Sequence, residues 1–557
     1  MGKGALRQGP LPKDWLSGTC PFRSRTCRPT GIITLVLSPV NEDDNLIAAR
    51  LLDFFAAATP WHRALWNAGL VLALRETLEA SEAVRSGVLA EEALKGLGSN
   101  CLRLAGLDAG AGAEEHRHAL QQALMGKVRY DGLDFHSLKQ LADQIESRYL
   151  ERWAVALRSD QQRPKAERAA RSVAAHLLDL GFSSDYLHRW WRFKLVHESG
   201  SKSLAEIIEE AHALAQRAAE VFEVLVLLKA SPRSRSGYPP DWLSAADVSR
   251  RLREKGCDVT GLRPSGGLVL SAEARDADSA VQIAAEMAEN FLARVSVGTG
   301  ASVDRIPQAW VSGEREPRKL GLRFRGVRVR ALYREDRIYP SKEPPNILDA
   351  AIEMLAHLER SSPSAAVAGG WAAIEALLSE PNDRGAAAER LATLVACSFP
   401  RAELTVLSYV LEKTDSGLKA ILAQCNENRD RASAVARAIL NGQTLSVPDP
   451  SDQAALSRME KLLNSPRKSL DDIKTHAADA FARLYRQRNL VLHWGKTNGV
   501  ALRASLRTAA PLVGAGMDRI AHGWYVQRIR PIELAARARV SLATVMSDDI
   551  GCLRLLD

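Results

Sequence analysis

Apolar side chains recur at three- and four-residue steps through most of this sequence, and that spacing is typical of amphipathic helices. It is clearest in residues 56–78 and 118–157, which a glycine-rich break at residues 106–112 separates. The chain has 557 residues, which is too many for a single hydrophobic core. The sequence therefore predicts a mainly α, multidomain protein.

Segments rich in proline, glycine and polar residues indicate where the domains meet. Such segments lie at residues 158–165, 231–240 and 341–346. The predicted organisation is a mostly helical N-terminal domain over residues 1–165, a helical domain over 166–230, a small α+β module over 240–340 and a C-terminal helical domain over 345–547. Within the first domain, residues 32–37 predict one buried strand.

The region from residue 240 to residue 340 has a mixed pattern. Residues 245–255 and 278–293 predict helices, and residues 267–274 predict a strand. Residues 320–332 alternate apolar and basic side chains, as a half-exposed strand does. The basic positions are Arg323, Arg325, Arg328 and Arg330. Two interpretations stay open for them: a surface that binds RNA or a partner, and a solvated strand face.

The charge and the cysteines limit the classes of protein to consider. Lys and Arg total 75 against 66 acids, giving a net charge of +9, which suits contact with phosphate groups but also occurs in proteins that never bind them. The 7 cysteines are odd in number and widely spaced, which argues against a disulfide framework. With no signal-peptide pattern and no apolar run long enough to span a bilayer, we expect a cytoplasmic protein without a membrane segment.

The chemistry-bearing residues stand near the end of one predicted helix, residues 471–494, which Gly495 would stop. Asn489 and His493 are four positions apart and therefore share a helix face. Arg488 precedes Asn489 and flanks the same edge with a longer reach. We expect these three side chains to converge near the carboxyl end of the helix.

Such a group suits cleavage of RNA, in which a 2′-hydroxyl attacks the neighbouring phosphorus. A histidine can move protons to or from the reacting oxygens, and an arginine can hold the phosphoryl oxygens as negative charge builds. Asn489 would orient the imidazole or the phosphate. The sequence contains no carboxylate cluster or Cys/His set with metal-ligand spacing, so we expect no metal and no other cofactor.

Spacing alone does not single out this group. Similar pairs occur elsewhere: Arg171 with His176, Arg192 with His197 and, more loosely, Arg129 with His136. In an arginine-rich chain such pairs arise by chance. None of them has an asparagine directly after the arginine.

Two segments carry a resemblance to a known family. Residues 488–495 read Arg-Asn-Leu-Val-Leu-His-Trp-Gly, which resembles the Arg-Asn-x-x-x-His signature of HEPN ribonucleases. About 115 residues earlier, residues 370–378 read Gly-Trp-Ala-Ala-Ile-Glu-Ala-Leu-Leu. That segment is similar to the first core helix of ApeA-like HEPN domains, in which a Trp precedes a Glu by four positions. The resemblance covers about 200 C-terminal residues.

The resemblance implies a helical bundle that cleaves RNA without a metal, generally as a dimer with two signatures facing one cleft. It implies Arg488, Asn489 and His493 as the catalytic set. Glu375 would support them, either beside the set or by pairing with a basic side chain that fixes the two helices. Trp371 is expected in the core. Nucleotidyl-regulated members carry Tyr two positions after the His, whereas this chain has Gly495 there, so such regulation is not expected.

By the same analogy, large bacterial proteins with this terminus resemble anti-phage effectors, in which upstream domains sense infection and the nuclease cleaves RNA such as tRNA. The expected partners are an RNA substrate, a second copy of the chain and a phage-derived trigger. A non-catalytic alternative is an RNA- or nucleotide-binding or dimerisation module. In a third interpretation, His493 only caps the helix end, where the dipole favours its charge.

Overall fold

The computed structural model describes residues 42–126, 128–159, 163–197, 202–232, 237–258, 260–339, 344–380, 385–545 and 550–556. Helices account for 68% and strands for 6%, so the prediction of a mainly α fold is confirmed. The described residues belong to one compact unit. The predicted domain boundaries stay predictions, and the strand predicted at residues 32–37 lies outside the described residues.

Nine helices precede the sheet in the described residues, and apolar side chains at helical spacing bury one face of each. Their bounds are α1 Glu42–Phe55, α2 Leu70–Arg85, α3 Glu91–Ala105, α4 Glu114–Met125, α5 Leu133–Ser147, α6 Tyr149–Arg158, α7 Ala166–Asp179, α8 Ser184–His197 and α9 Leu204–Ala215. These helices agree with the predicted helical pattern as far as Ala215, whereas the helical domain was predicted to extend to residue 230. The predicted helix over residues 56–78 starts later, at Leu70, because a loop containing Pro60 and a short 3₁₀ turn come first.

A five-stranded antiparallel sheet follows, in the order β2-β3-β1-β4-β5. Its elements are β1 Glu220–Leu228, β2 Trp242–Ser244, α10 Ala245–Glu254, β3 Gly266–Ala274, α11 Ala277–Thr299, β4 Arg305–Val311, β5 Arg318–Lys319 and the short helix α12 Ala331–Arg334. One face of the sheet packs against α11, and the other packs against α10. The sheet positions the irregular segment that connects β5 to α12.

Two sequence predictions in this region are wrong. Residues 220–228 were predicted at the end of a helical segment, but they form β1, the central strand. Their continuous apolar run carries no period that separates a buried strand from a buried helix. Residues 320–329 were predicted as a strand, but they have no regular secondary structure. Gly326 adopts a φ of 87° within them, which interrupts an extended backbone.

The C-terminal region contains only helices among its described residues, as predicted. They are α13 Ile347–Arg360, α14 Pro363–Leu378, α15 Ala386–Thr414, α16 Ser416–Gln424, α17 Asn428–Leu440, α18 Pro450–Asn464, α19 Pro466–Trp494, α20 Leu502–His522 and α21 Pro531–Thr544. A polar loop over residues 441–449 joins α17 to α18. These helices share one hydrophobic core.

Helix α15 is the one described helix whose length and apolar composition would allow it to cross a membrane. Its apolar stretch is 61% buried inside the protein, in contact with other helices. The core helix of a soluble protein has the same properties, so α15 is only weak evidence for a membrane span.

Candidate functional site

Helix α19 carries the predicted site residues at its carboxyl end. Phe481 and Leu484 are buried in the C-terminal core and fix the rotation of the helix. Gly495 ends it with a left-handed φ of 68°, and its N–H bonds back to the carbonyl of Leu490. This rotation leaves His493 exposed in the last turn.

The structure brings Arg488, Asn489 and His493 together. Nη1 of Arg488 lies 3.0 Å from Oδ1 of Asn489 and 3.0 Å from Nε2 of His493. Asn489 is buried, Arg488 is half-buried and His493 is exposed. The buried amide thus holds the guanidinium against the helix, while the imidazole reaches solvent.

The hydrogen bond between Arg488 and His493 selects one tautomer of the neutral ring in this arrangement. A guanidinium has donors only, so Nε2 of His493 must accept, and a neutral ring must carry its proton on Nδ1. Nε2 becomes available to a substrate only when the Arg488 side chain turns away. A phosphate group is the kind of acceptor that would draw the guanidinium away from the imidazole.

Glu375 lies on α14 and is half-buried. Among the described residues its side chain makes no hydrogen bond and no ion pair, with Arg488 and His493 or with any other basic group. The expected pairing of Glu375 with a basic side chain is therefore not seen among the described residues. Trp371, one turn earlier, is buried as predicted, and its ring lies 4.7 Å from that of Tyr485 on α19.

Apolar surface borders the three site residues. Tyr485 is 41% exposed and Leu492 is 51% exposed. Both lie near Arg488 on α19, three and four positions away, and therefore on the same side of the helix. Large apolar side chains left open beside a polar group are a feature of contact surfaces.

The opposite side of α19 is covered by N-terminal helices. Glu76 of α2 accepts hydrogen bonds from Arg483 at 2.8 Å and from Arg486 at 2.8 and 3.0 Å, and all three residues are buried. Burial acts to raise the pKa of Glu76, but the charges of Arg486 and Arg483 outweigh it and hold the pKa below its ordinary value.

Further contacts extend this interface. Leu490 and Trp494 pack with apolar side chains of α2 and α3. Lys496 forms a 2.9 Å ion pair with Glu79 of α2. The candidate site therefore lies on a helix that the N-terminal region holds directly. The sequence pattern did not predict that Glu76 pairs with Arg483 and Arg486.

Two of the similar Arg/His pairs, Arg171 with His176 and Arg129 with His136, have different surroundings. His176 is 4% exposed and stacks on Tyr149 with ring centroids 4.3 Å apart, while Arg171 pairs with Glu167. Burial lowers the pKa of His176 to about 3. His136 is exposed and bonds Asp131 at 3.0 Å. In neither pair do the arginine and histidine bond each other, as Arg488 and His493 do.

In the part of the chain that the structure describes, no group of three or more His, Cys, Asp or Glu side chains is arranged to hold a metal ion. Comparison with protein-family models, curated proteins and solved structures finds no match to this chain.

Proposed function

We propose that this protein is a metal-independent endoribonuclease of the HEPN type, with Arg488, Asn489 and His493 as its catalytic residues. The observation that supports this most is that Arg488, the buried Asn489 and the exposed imidazole of His493 meet at the end of α19. A guanidinium and a solvent-accessible imidazole in contact are the two groups that RNA cleavage by a 2′-hydroxyl requires.

In the proposed reaction the 2′-oxygen attacks phosphorus and the bond to the 5′-oxygen breaks. The products are a 2′,3′-cyclic phosphate and a 5′-hydroxyl. Arg488 moves from His493 to the phosphoryl oxygens, which frees Nε2 to take the proton of the 2′-hydroxyl. The leaving 5′-oxygen receives a proton from a second acid, for which the His493 of a second copy is our proposal.

A homodimer is part of this proposal. The exposed side chains of Tyr485 and Leu492 provide apolar surface next to Arg488, where a second copy would pack. Pairing two α19 helices there would put two imidazoles at one phosphodiester. We further propose that the protein is an anti-phage effector that acts in the cytoplasm, cleaves RNA such as tRNA and responds to a phage-derived trigger. The direct packing of α2 and α3 on α19 supports a link between the N-terminal region and the site.

The test is incubation of the purified full-length protein with total tRNA in EDTA. We expect products ending in 2′,3′-cyclic phosphate, and their formation should slow by at least about 10²-fold with His493→Ala or Arg488→Ala. His136→Ala is the matched control, because His136 is also an exposed helix histidine with a polar partner. Undiminished cleavage by both site variants would remove the proposed mechanism.

One observation favours the non-catalytic alternative, in which the module binds RNA or a nucleotide. Nε2 of His493 is already occupied by Arg488, so in this arrangement the ring is not free to act as a base. In that case the tRNA experiment would give binding without products, and loss of Arg488 would weaken binding. If His493 is only a helix cap, neither binding nor cleavage would respond to its replacement.

A further inference from the structure

A large cleft lies away from the candidate site, between the N-terminal helices, the sheet and the C-terminal helices. Its volume is about 1660 Å³, above the roughly 300–1,000 Å³ of ordinary small-molecule sites. Its described lining includes eleven arginines, no lysine and six carboxylates, so positive charge is in excess. A cleft of this size and charge suits an extended anion.

The irregular segment before α12 forms part of the lining. Here lie the four arginines that the sequence pattern assigned to a strand. Three of them have partners: Arg323 bonds Ser184, Arg325 bonds the carbonyl oxygens of Leu358 and Ser361, and Arg328 pairs with Glu359. The fourth, Arg330, is exposed, and its side chain has no hydrogen bond or ion pair among the described residues. Its donors are therefore available to a ligand.

His62 lines the same cleft near Arg330. It is 4% exposed, and neither of its ring nitrogens has a hydrogen-bond partner among the described residues. Its nearest carboxylate oxygen, on Glu403, is 3.8 Å from Nε2, which is too far for a hydrogen bond. Burial lowers the pKa of His62 to about 4, and the charge of Arg330 acts in the same direction. A buried polar group without a partner is costly unless something binds it.

The cleft also contains an exposed aromatic ring. Phe324 is 53% exposed, and the guanidinium groups of Arg328 and Arg360 lie 5.7 and 5.0 Å from its centroid. A basic groove with an accessible aromatic ring is the combination that holds single-stranded nucleic acid, since the phosphates meet the cations and a base stacks on the ring.

We infer that this cleft binds a single-stranded oligonucleotide, with Arg330 on a phosphate, Phe324 against a base and His62 bonding a polar atom of the strand. The inference goes beyond the cleavage proposed above, because binding here needs no reaction. Arg488 and His493 do not line the cleft. The two proposals can therefore fail separately.

The test uses full-length protein and a fluorescent single-stranded DNA of roughly ten nucleotides, a length within the range of known single-strand sites. DNA lacks the 2′-hydroxyl, so binding is measured without cleavage. We expect Phe324→Ala to weaken binding roughly 5- to 150-fold, the loss of one stacked base. Arg330→Ala should weaken it and flatten the slope of log affinity against log salt by about 0.7, the value for one phosphate contact.

Arg250→Ala is the control, since Arg250 is an exposed arginine on α10 that does not line the cleft. Circular dichroism checks that each variant keeps its helices. The inference is overturned if no binding occurs, or if Arg330→Ala and Phe324→Ala bind as Arg250→Ala does. It is also overturned if a mononucleotide or inorganic phosphate displaces the strand at an equal concentration of phosphate groups.

Discussion

The carboxylate of Glu76 accepts a 2.8 Å hydrogen bond from Nε of Arg483, which lies 407 residues further along the chain. Both side chains are 2% exposed. Arg486 shares the same carboxylate, so one acid stands between two buried cations. The contact joins an N-terminal helix to the helix that carries the candidate site.

Glu76→Ala should strongly destabilise the protein. Removing the carboxylate leaves the guanidinium groups of Arg483 and Arg486 buried without their shared anion. Breaking a buried pair on one side costs about 3–5 kcal/mol. Urea unfolding at pH 7, followed by circular dichroism, should show a lower midpoint.

Glu82→Ala is the matched control, because Glu82 lies on the same helix, is 37% exposed and comes only within 3.9 Å of Lys496. We expect a change of less than about 1 kcal/mol for it. If both variants lost the same free energy of unfolding, the buried ion pair would contribute no more stability than the exposed one, and the prediction would be wrong.

Acid should destabilise the protein partly through His176. Its pKa of about 3 in the folded chain lies below the 6.5 of an unfolded histidine, so the unfolded state binds more protons between these values. The stability that the buried neutral His176 contributes is therefore fully present above pH 6.5 and is lost as the pH falls toward 3. His176→Phe keeps an aromatic ring against Tyr149. Between pH 7 and pH 5, the free energy of unfolding of this variant should fall by about 2 kcal/mol less than that of the wild type.

The measurement is the free energy of urea unfolding at both pH values. His136→Asn serves as the comparison, since it replaces an exposed histidine instead of a buried one. A His176→Phe variant as sensitive to acid as the wild type would contradict the assignment.

Helical periodicity was sufficient to predict most of the helices and the approach of Arg488 to His493, because both depend on contacts within a few residues. Gly495 likewise indicated where α19 ends. These predictions depend only on residues that are close in sequence, so helical spacing is sufficient to make them.

Contacts distant in sequence could not be predicted in the same way. Glu76 has many arginines to pair with, and only the packed structure selects Arg483 and Arg486. The strand β1 was missed because its apolar run fits a buried helix equally well. The four arginines of residues 323–330 alternate as in a strand, but Gly326 and their individual partners hold them in an irregular segment.

Two glycines in helices should respond to alanine in opposite ways. A Cβ on Gly369 would lie 2.8 Å from the backbone oxygen of Met354 and 2.8 Å from Cβ of His357, so α13 and α14 must separate. We expect Gly369→Ala to lower the free energy of unfolding by about 1–3 kcal/mol. Gly96 of α3 has no atom within 4 Å of such a Cβ, so Gly96→Ala should stabilise by about 0.5–1 kcal/mol. Thermal unfolding of both variants checks the signs, and the same sign for both would refute the steric argument.

Replacement of Arg488 by lysine should separate its charge from its geometry. Under the proposed mechanism the guanidinium first bonds Asn489 and His493 and then moves to the phosphoryl oxygens. A lysine keeps the positive charge but has no planar pair of donors for two phosphoryl oxygens. We expect Arg488→Ala to slow tRNA cleavage by about 10²- to 10³-fold, as loss of one transition-state donor does, and Arg488→Lys to recover only part of the rate. Initial rates at saturating tRNA measure this, with Arg250→Lys as the control. Full activity of Arg488→Lys would show that charge alone suffices, and the bidentate role of Arg488 would then be wrong.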